Sequence, residues 1–367
     1  MSESSESQAG AWLPESSAEE APALLPERDP FLESGAPDPV EARLDWLEHE
    51  RGRSRRPART RTRATTPRPR PRRAPAAEGV PTLAEIELPE DLQLLDRVLP
   101  ERARRALAAL GHLVEGEGRY DRFGFSPEAA RRTLPWFYAL YRAYFRVTSS
   151  GHEHLPERGA CVLASNHAGL LPFDAAMTVV DCLLHTDPPR LPRAIVDRWA
   201  GELPGVNVFY ARVGQVIGTR ENFSDLLGHD QLVLVYPEGV AGIRKTITQR
   251  YRLQPFRVGF VERALRAGAP IVPMAVIGSD DQTPVLYDWE GLAKRLGIPV
   301  APITPTFPWL GPLGLLPYPV RYRIVYGEPL DFHERFGPEG ADDARLVKHL
   351  SKQVRTRIQR LIDRNRP

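Results

Sequence analysis

His167 and Asp174 have the residue types and the spacing that general base catalysis needs. Both lie in the stretch 165–174, which follows the apolar run 160–164 and precedes the helical pattern 175–180. A carboxylate that hydrogen-bonds one imidazole nitrogen fixes the tautomer, so that the other nitrogen can take a proton from a hydroxyl group. The substrate would supply that hydroxyl as the nucleophile. The alternative is a polar histidine in a turn and an ordinary acid at a helix N-terminus.

The turn that carries His167 must be non-helical if the two side chains are to meet. In a continuous helix, residues seven positions apart share a face but lie about 10 Å apart along the axis, too far for a hydrogen bond. Gly169 tolerates positive φ, and Pro172 suits the first helical position because no amide hydrogen is needed there. We therefore expect a strand, a loop with His167, and a helix with Asp174 near its N-terminus.

Four further residues have types suited to binding a substrate. Arg220 opens a helical pattern after a β-type run, and a guanidinium there can hold a phosphate or carboxylate through two hydrogen bonds. Glu238 and Gly239 follow the apolar run 232–236, and ligands of α/β sheets bind beyond the carboxyl ends of strands. Lys245 lies in a basic cluster that could attract the phosphates of a thioester donor. Each could instead be structural, as a surface arginine, a tight turn or a solvated loop.

Alternating helical and β-rich runs predict an α/β fold with a mixed, largely parallel sheet flanked by helices. Strands are predicted at 145–149, 160–165, 193–197, 206–210, 213–217, 232–236, 271–277 and 321–326. Helices are predicted at 173–184, 220–228, 257–267 and 342–364. The apolar segment 302–319 has too many prolines and glycines for a helix or central strand. It could line an acyl-chain channel, dip into a bilayer surface or pack over the sheet edge.

The chain divides into three parts. Residues 1–82 are acidic and then rich in arginine and proline, which predicts a disordered tail. The arginines could bind anionic lipid or nucleic acid, or form a solvated linker. Residues 83–147 form a helical preface, whose aromatic segment 134–147 is either an interfacial or a core helix. Residues 148–367 form the α/β domain.

Composition and local patterns exclude several classes of protein. Lys and Arg number 49 and Asp and Glu 47, so the net charge is only +2. Nucleic acid is not the expected partner, because the arginine run lacks interleaved aromatic residues. Cys161 and Cys182 lie in apolar runs and indicate buried thiols, and His152 and His154 lack a third metal ligand nearby. Without a signal peptide or an apolar run of roughly 20 residues, we expect a cytoplasmic protein, peripheral on the inner face of a membrane.

Four blocks in order resemble the motifs of the glycerolipid acyltransferase superfamily. They are residues 166–174, 214–222, 235–239 and 269–276, and the resemblance extends over roughly residues 145–330. The family usually has four residues between the histidine and the aspartate, whereas six separate them in this chain. This longer loop, with the stretch after Gly239, resembles the branch that includes monoacylglycerol and diacylglycerol acyltransferases.

The resemblance implies a glycerol-phosphate acyltransferase-like fold and an acyl-CoA- or acyl-ACP-dependent O-acyltransferase. The acceptor would be a glycerolipid hydroxyl, on a lysophospholipid or an acylglycerol phosphate. His167 would be the base and Asp174 its orienting partner. The substrates would be held by Arg220, Glu238, Gly239 and Lys245. It implies no cofactor and no metal, and it makes a membrane surface and an acyl carrier protein candidate partners. The alternatives are a neutral-lipid acyltransferase, acting on monoacylglycerol, diacylglycerol or a long-chain alcohol, and a non-enzymatic membrane-docking protein.

Overall fold

A computed structural model describes residues 99–110 and 119–367. They belong to one compact unit, Ala76–Pro367. The predicted tail, 1–82, lies outside the described residues, as do 83–98 and 111–118 of the helical preface.

A seven-stranded sheet forms the centre of the fold, and a two-stranded ribbon lies beside it. In chain order the strands are β1 (Thr148–Ser150), β2 (Cys161–Ser165), β3 (Arg193–Val196), β4 (Val216–Ile217), β5 (Leu232–Val235), β6 (Ile271–Ile277), β7 (Tyr287–Asp288), β8 (Pro302–Ile303) and β9 (Arg323–Tyr326). The sheet order is β1-β9-β6-β2-β5-β3-β4, and β7 pairs with β8. All neighbours in the sheet are parallel except β6 and β9, so the sheet is mixed and largely parallel.

Helices cover both faces of the sheet. They are α1 (Glu101–Leu110), α2 (Pro127–Ala139), α3 (Phe173–His185), α4 (Arg198–Gly201), α5 (Val206–Arg212), α6 (Arg220–Gly228), α7 (Val240–Ile243), α8 (Gly259–Ala267), α9 (Glu290–Leu296), α10 (Phe332–Phe336) and α11 (Ala344–Asn365). A π-helical turn, Leu140–Tyr144, continues α2. Among the residues described, none of these helices combines the length and the apolar character needed to cross a membrane.

The core lies in two apolar layers, because successive side chains of a strand point to opposite faces. In β2, Cys161 and Leu163 pack into the layer beneath α1, α2 and α3. Val162 and Ala164 pack into the layer beneath α6, α8 and α11. All five residues of β2 are buried. This central strand therefore holds the loop that follows it between two covered faces.

The predicted strand at 206–210 is wrong, because these residues begin helix α5. Valine and aromatic side chains favour strands locally. However, β3 and β4 run parallel, so the chain between them must cross back over the sheet, and helices usually make such crossovers. Gly205, with φ of 80°, turns the chain into α5, where Phe209 N donates to Gly205 O at 3.0 Å.

The aromatic segment 134–147 packs mostly inside the fold. Leu134, Tyr141 and Phe145 are buried in the core, and the Tyr141 hydroxyl donates to Asp181. Among the aromatic side chains of the segment, only Trp136 is exposed, with 62% of its surface accessible. The packing of the other aromatic side chains against the core favours the core-helix alternative over the interfacial one.

Candidate functional site

The loop after β2 brings His167 and Asp174 into direct contact. His167 Nδ1 lies 2.6 Å from Asp174 Oδ2. Pro172 is the N-cap of α3, so Asp174 is its second residue and the six residues between the pair form a mostly non-helical loop. The buried Asp174 carboxylate also accepts backbone hydrogen bonds from Ala168 N at 3.2 Å and Ala175 N at 2.8 Å. These two backbone hydrogen bonds therefore fix the position of the carboxylate that contacts the histidine.

The imidazole of His167 is held in one orientation with one nitrogen available. Its ring stacks on Tyr236, with 4.3 Å between ring centroids. Because a carboxylate can only accept, Nδ1 carries the proton that it donates to Asp174. Nε2 makes no hydrogen bond to any residue in the described ranges, and 18% of the side chain is exposed. An acceptor nitrogen facing a substrate is what a general base requires.

Glu238 holds the backbone of the histidine loop. Its Oε1 accepts a hydrogen bond from His167 N at 2.9 Å, and its Oε2 accepts one from Gln254 N at 2.7 Å. Lys245 Nζ lies 3.7 Å from Glu238 Oε2 and 3.0 Å from Asp280 Oδ1. All three charged side chains are buried, so the structure engages Glu238 and Lys245 in internal contacts.

Burial and mutual attraction act in opposite directions on this charged cluster. Burial raises the pKa of the Glu238 and Asp280 carboxyl groups, and the Lys245 ammonium limits that rise. Burial disfavours the charge of Lys245, but attraction to Asp280 and Glu238 outweighs it and raises the lysine pKa. The raised lysine pKa favours the charged form of Lys245 beside the two carboxyl groups.

Small residues let the neighbouring segments approach His167. A Cβ atom at Gly242 would lie 2.9 Å from His167 O and 3.0 Å from His167 Cβ. Gly169, with φ of 83°, packs against the Gln282 side chain, which would have to shift to make room for a Cβ atom there. Gly239, with φ of 56°, is the N-cap of α7, the helix that contains Gly242. The predicted Gly239 thus shapes the turn that carries Gly242 to the histidine.

Sequence reasoning missed several supports of the loop. Asn166 pairs with the backbone of β6, accepting from Val276 N at 2.8 Å and donating to Val276 O at 3.0 Å. Gln282 Nε2 donates to Ala168 O at 2.8 Å. Asn166 precedes His167 in the first block, so its position next to the histidine could have indicated a role in holding the loop. Gln282, more than a hundred residues away in sequence, leaves no local signal.

Arg220 lies at the same edge of the sheet but not against His167. It is the first residue of α6, directly after β4, and is exposed. No hydrogen bond or ion pair joins its guanidinium to another of the described residues. β2 and β4 are separated by three strand spacings of about 4.8 Å, which gives about 14 Å between them. The structure therefore does not bring the predicted arginine into contact with the histidine loop.

A cavity of about 250 Å³ lies between β4, α5 and α6. Tyr210 lines it, and burial together with the negative charge of Asp174 raises the pKa of the Tyr210 hydroxyl. The lining mixes polar and apolar side chains: Arg122, Phe123, Val196, Asn207, Tyr210, Gln215, Val216, Ile217 and Asn222. The cavity can therefore take a small polar group beside an apolar one.

A second polar cluster lies at the other end of α3. The donor atoms of His152, Asp181 and His185 lie within 4.8 Å of one another, as metal ligands do. However, Asp181 Oδ1 accepts hydrogen bonds from the hydroxyl groups of Tyr141 and Ser149, at 2.6 Å each. This carboxylate oxygen therefore already has hydrogen-bond partners within the protein. The two imidazole rings are stacked, with centroids 4.2 Å apart. In a metal site the lone pairs of the two imidazoles would converge on the ion. Stacked rings instead favour a buried polar cluster that anchors α3.

Comparisons with known proteins connect this site to a family. The Acyltransferase family model matches residues 146–277, which contain all four blocks. An uncharacterised protein of Mycobacterium leprae is 37% identical over 72% of this chain and 74% of its own length. An uncharacterised protein of Mycobacterium tuberculosis is 37% identical over 78% of this chain and 79% of its own.

Two more distant similarities have named activities. The bovine DGAT1/2-independent enzyme synthesizing storage lipids is 23% identical over 65% of this chain and 66% of that protein. Among solved structures, the 1-acyl-sn-glycerophosphate acyltransferase PlsC of Thermotoga maritima matches with a TM-score of 0.42 and 15% identity, over 74% of this chain and 92% of that chain.

The family model matches the part of the chain that builds the histidine loop and the Pro-Glu-Gly turn, and the mycobacterial relatives extend the similarity over most of the domain. The chain belongs to the glycerolipid acyltransferase superfamily and is an acyltransferase of the glycerolipid type.

Proposed function

We propose that this acyltransferase moves a fatty acyl group from acyl-CoA or acyl-ACP to a hydroxyl of a lysophospholipid or an acylglycerol phosphate. The observation that carries the proposal is the 2.6 Å contact between His167 Nδ1 and Asp174, with Nε2 left to accept a proton. The pair follows β2 at the carboxyl edge of the parallel strands, where α/β sheets bind their ligands.

In the proposed reaction, His167 Nε2 takes the proton of the acceptor hydroxyl while that oxygen attacks the thioester carbonyl. A C–O bond forms, and the tetrahedral intermediate then breaks its C–S bond. The leaving thiolate takes the proton from His167, which returns the histidine to its neutral form. The reaction therefore needs no covalent enzyme intermediate. Asp174 stabilises the imidazolium that exists between the two proton transfers.

The substrate-binding residues divide into two groups. Arg220 is exposed and has no partner among the described residues, so we propose that it binds the phosphate of the acceptor. Gly239 turns the backbone into α7, and we propose that the substrate passes close to this turn. Glu238 and Lys245 are buried behind the loop, and we propose that they position His167 instead of contacting the phosphates.

A neutral-lipid acceptor is the second candidate. The six residues between His167 and Asp174 depart from the usual family spacing. The bovine relative bears the name of an enzyme synthesizing storage lipids. A monoacylglycerol, diacylglycerol or long-chain alcohol has no phosphate, so its transfer would not need Arg220.

We also propose that the enzyme is peripheral on the inner face of a membrane, because acceptors of both kinds are amphiphiles that reside in bilayers. An acyl carrier protein would be a partner if it is the donor. The remaining alternative, docking without chemistry, predicts membrane binding with no acyl transfer.

Acyl transfer by the purified protein tests the proposal. Palmitoyl-CoA and, separately, palmitoyl-ACP would be supplied with glycerol-3-phosphate, lysophosphatidate, other lysophospholipids, monoacylglycerol, diacylglycerol or a long-chain alcohol. We expect transfer to a phosphate-bearing acceptor and its loss in His167→Ala. Transfer to the neutral acceptors alone would select the second candidate, and no transfer from either donor would contradict both.

A further inference from the structure

The segment between β8 and β9 carries an exposed apolar surface, which we call the apolar turn and define as residues 309–316. Trp309 is 76% exposed and Leu313 is 70% exposed, more than any other large apolar side chain among the described residues. Leu310 and Leu316 are 61% and 55% exposed. Four large apolar side chains within eight residues are thus exposed, and clusters of exposed apolar side chains mark interaction surfaces.

Several backbone polar groups of the apolar turn are paired within the segment. Leu310 N donates to Thr306 O at 2.8 Å, and Gly311 N donates to Pro308 O at 2.8 Å. The Thr306 hydroxyl donates to Gly314 O at 2.8 Å and so ties the two arms of the turn together. Unpaired backbone groups are what normally keeps a loop out of hydrocarbon. These internal hydrogen bonds lower that cost and hold the side chains in one arrangement.

The charges around the apolar turn complement a phospholipid surface. The sequence from 302 to 321 contains no aspartate or glutamate. Arg146 is exposed, and its guanidinium donates to Pro319 O at 2.7 Å, so a cation lies beside the turn. Arg321 is exposed at the end of the same segment. Basic residues at a membrane surface are attracted to anionic headgroups, and tryptophan favours the boundary between headgroups and acyl chains.

A chain of hydrogen bonds connects the apolar turn to the histidine loop. Tyr318 N, two residues beyond the turn, donates to Gln282 O at 2.7 Å. The side chain of Gln282 donates to the carbonyl of Ala168, the residue after His167. The turn therefore lies near the edge of the sheet at which His167 is mounted.

We propose that the apolar turn inserts into the surface of a lipid bilayer and holds the His167 edge of the sheet against it. An acceptor resident in the bilayer would then reach His167 without leaving the membrane for water. The delivery of an acceptor to His167 rests on the proposed function, but the insertion of the turn into a bilayer does not. Of the possible occupants, a bilayer fits the combination of apolar tip, basic flank and absence of acidic side chains.

Vesicle partitioning of the full-length protein tests the insertion. The probes are vesicles of phosphatidylcholine alone, which do not attract the arginine-rich tail electrostatically, and vesicles that also contain phosphatidylglycerol. We expect the wild-type protein to bind both. Trp309→Ser and Leu313→Ser should each lower the partition coefficient for phosphatidylcholine about tenfold, because each removes a large apolar side chain from the membrane. Trp136→Ser is the matched control, since it removes an exposed tryptophan from α2 and should leave partitioning unchanged.

Three results would overturn the insertion. They are unchanged partitioning in the Trp309→Ser/Leu313→Ser double variant, an equal loss in Trp136→Ser, and a concentration-dependent dimer that the double variant abolishes. The last result would assign the surface to a second copy of the chain.

Acyl transfer to a short-chain, water-soluble acceptor separates this proposal from the proposed function. The double variant should retain its kcat with that acceptor and lose activity only on vesicles. A wild-type protein that binds vesicles through the turn but transfers no acyl group would refute the function and leave the insertion standing.

Discussion

His167 is held through its backbone as well as through its ring. Asp174 fixes the imidazole, whereas Glu238 binds the amide of the same residue and Gly242 packs against its Cβ and carbonyl oxygen. The histidine and the aspartate could be proposed from the sequence only because three further blocks that resemble the family's motifs follow them in order. The burial of Glu238 and Lys245 could not be predicted from the sequence. A charged residue after a strand is equally compatible with a solvated loop, and only the tertiary structure shows that these two side chains are buried.

Lys245→Met should destabilise the fold by about 3–5 kcal/mol, because it leaves Glu238 and Asp280 as buried carboxylates without their cation. Burial already raises the pKa of both carboxyl groups, so they are neutralised as the pH falls. The loss of stability should therefore be larger at pH 8 than at pH 5. Urea denaturation at the two pH values measures it, with the exposed Lys352→Met as the control. Equal stability of both variants at pH 8 would contradict the assignment.

Gly242→Ala should lower kcat by about tenfold or more, because its Cβ would displace the His167 backbone, and small displacements of a catalytic group are costly. Gly228→Ala provides the matched control, since a Cβ atom at that position meets nothing within 4 Å. Steady-state kinetics of both variants, after circular dichroism confirms folding, compares them. A kcat for Gly242→Ala equal to that of the control would show that the contact does not position the histidine.

At the scale of elements, α3 joins the proposed catalytic pair to a buried polar anchor. Asp174 lies in the first turn of α3, and Asp181 and His185 lie in its last two turns. The sequence predicted α3 and the loop before it, because Gly169 and Pro172 leave a clear local signal. It did not predict α5, because valine and aromatic residues favour strands locally, whereas the parallel pairing of β3 and β4 demands a crossover.

His185→Gln should destabilise the protein more at pH 5 than at pH 8. The hydrogen bond to Asp181 is the main cause that raises the pKa of His185 in the folded state. A raised pKa stabilises the fold fully below the pKa of the unfolded chain, and that contribution disappears as the pH rises through the folded value.

Thermal unfolding of His185→Gln at both pH values checks this dependence. The exposed His349→Gln on α11 serves as the control. A loss of stability that is the same at pH 5 and pH 8 would mean that the charge of His185 does not anchor α3.

At the scale of the whole molecule, the sheet order gathers blocks that are far apart in sequence. The carboxyl ends of β2, β5 and β4 lie along one edge, so the loops with His167, Glu238 and Arg220 face the same side. The α/β class and most strands could be predicted from alternating patterns. The strand order, and with it the separation of about 14 Å between the His167 and Arg220 strands, depends on pairings between distant residues that no local pattern encodes.

Arg220→Ala should distinguish the two acceptor classes. A bidentate contact between a guanidinium and a phosphate contributes about 1.5–3 kcal/mol, so kcat/KM for a phosphate-bearing acceptor should fall roughly ten- to a hundredfold. For monoacylglycerol or diacylglycerol, kcat/KM should stay the same. Arg360→Ala, an exposed arginine on α11, controls for lost surface charge. An equal loss with phosphate-bearing and neutral acceptors would contradict the phosphate-binding role.

The central claim is that His167, oriented by Asp174, is the base that activates the acceptor hydroxyl. The measurement that tests it most directly is kcat for His167→Ala and Asp174→Asn with the preferred acceptor and donor, on protein shown to be folded. General base catalysis contributes about 10²–10⁴-fold, so kcat should fall by at least a hundredfold in each variant. If folded His167→Ala transfers the acyl group at the wild-type rate, the proposed mechanism is wrong.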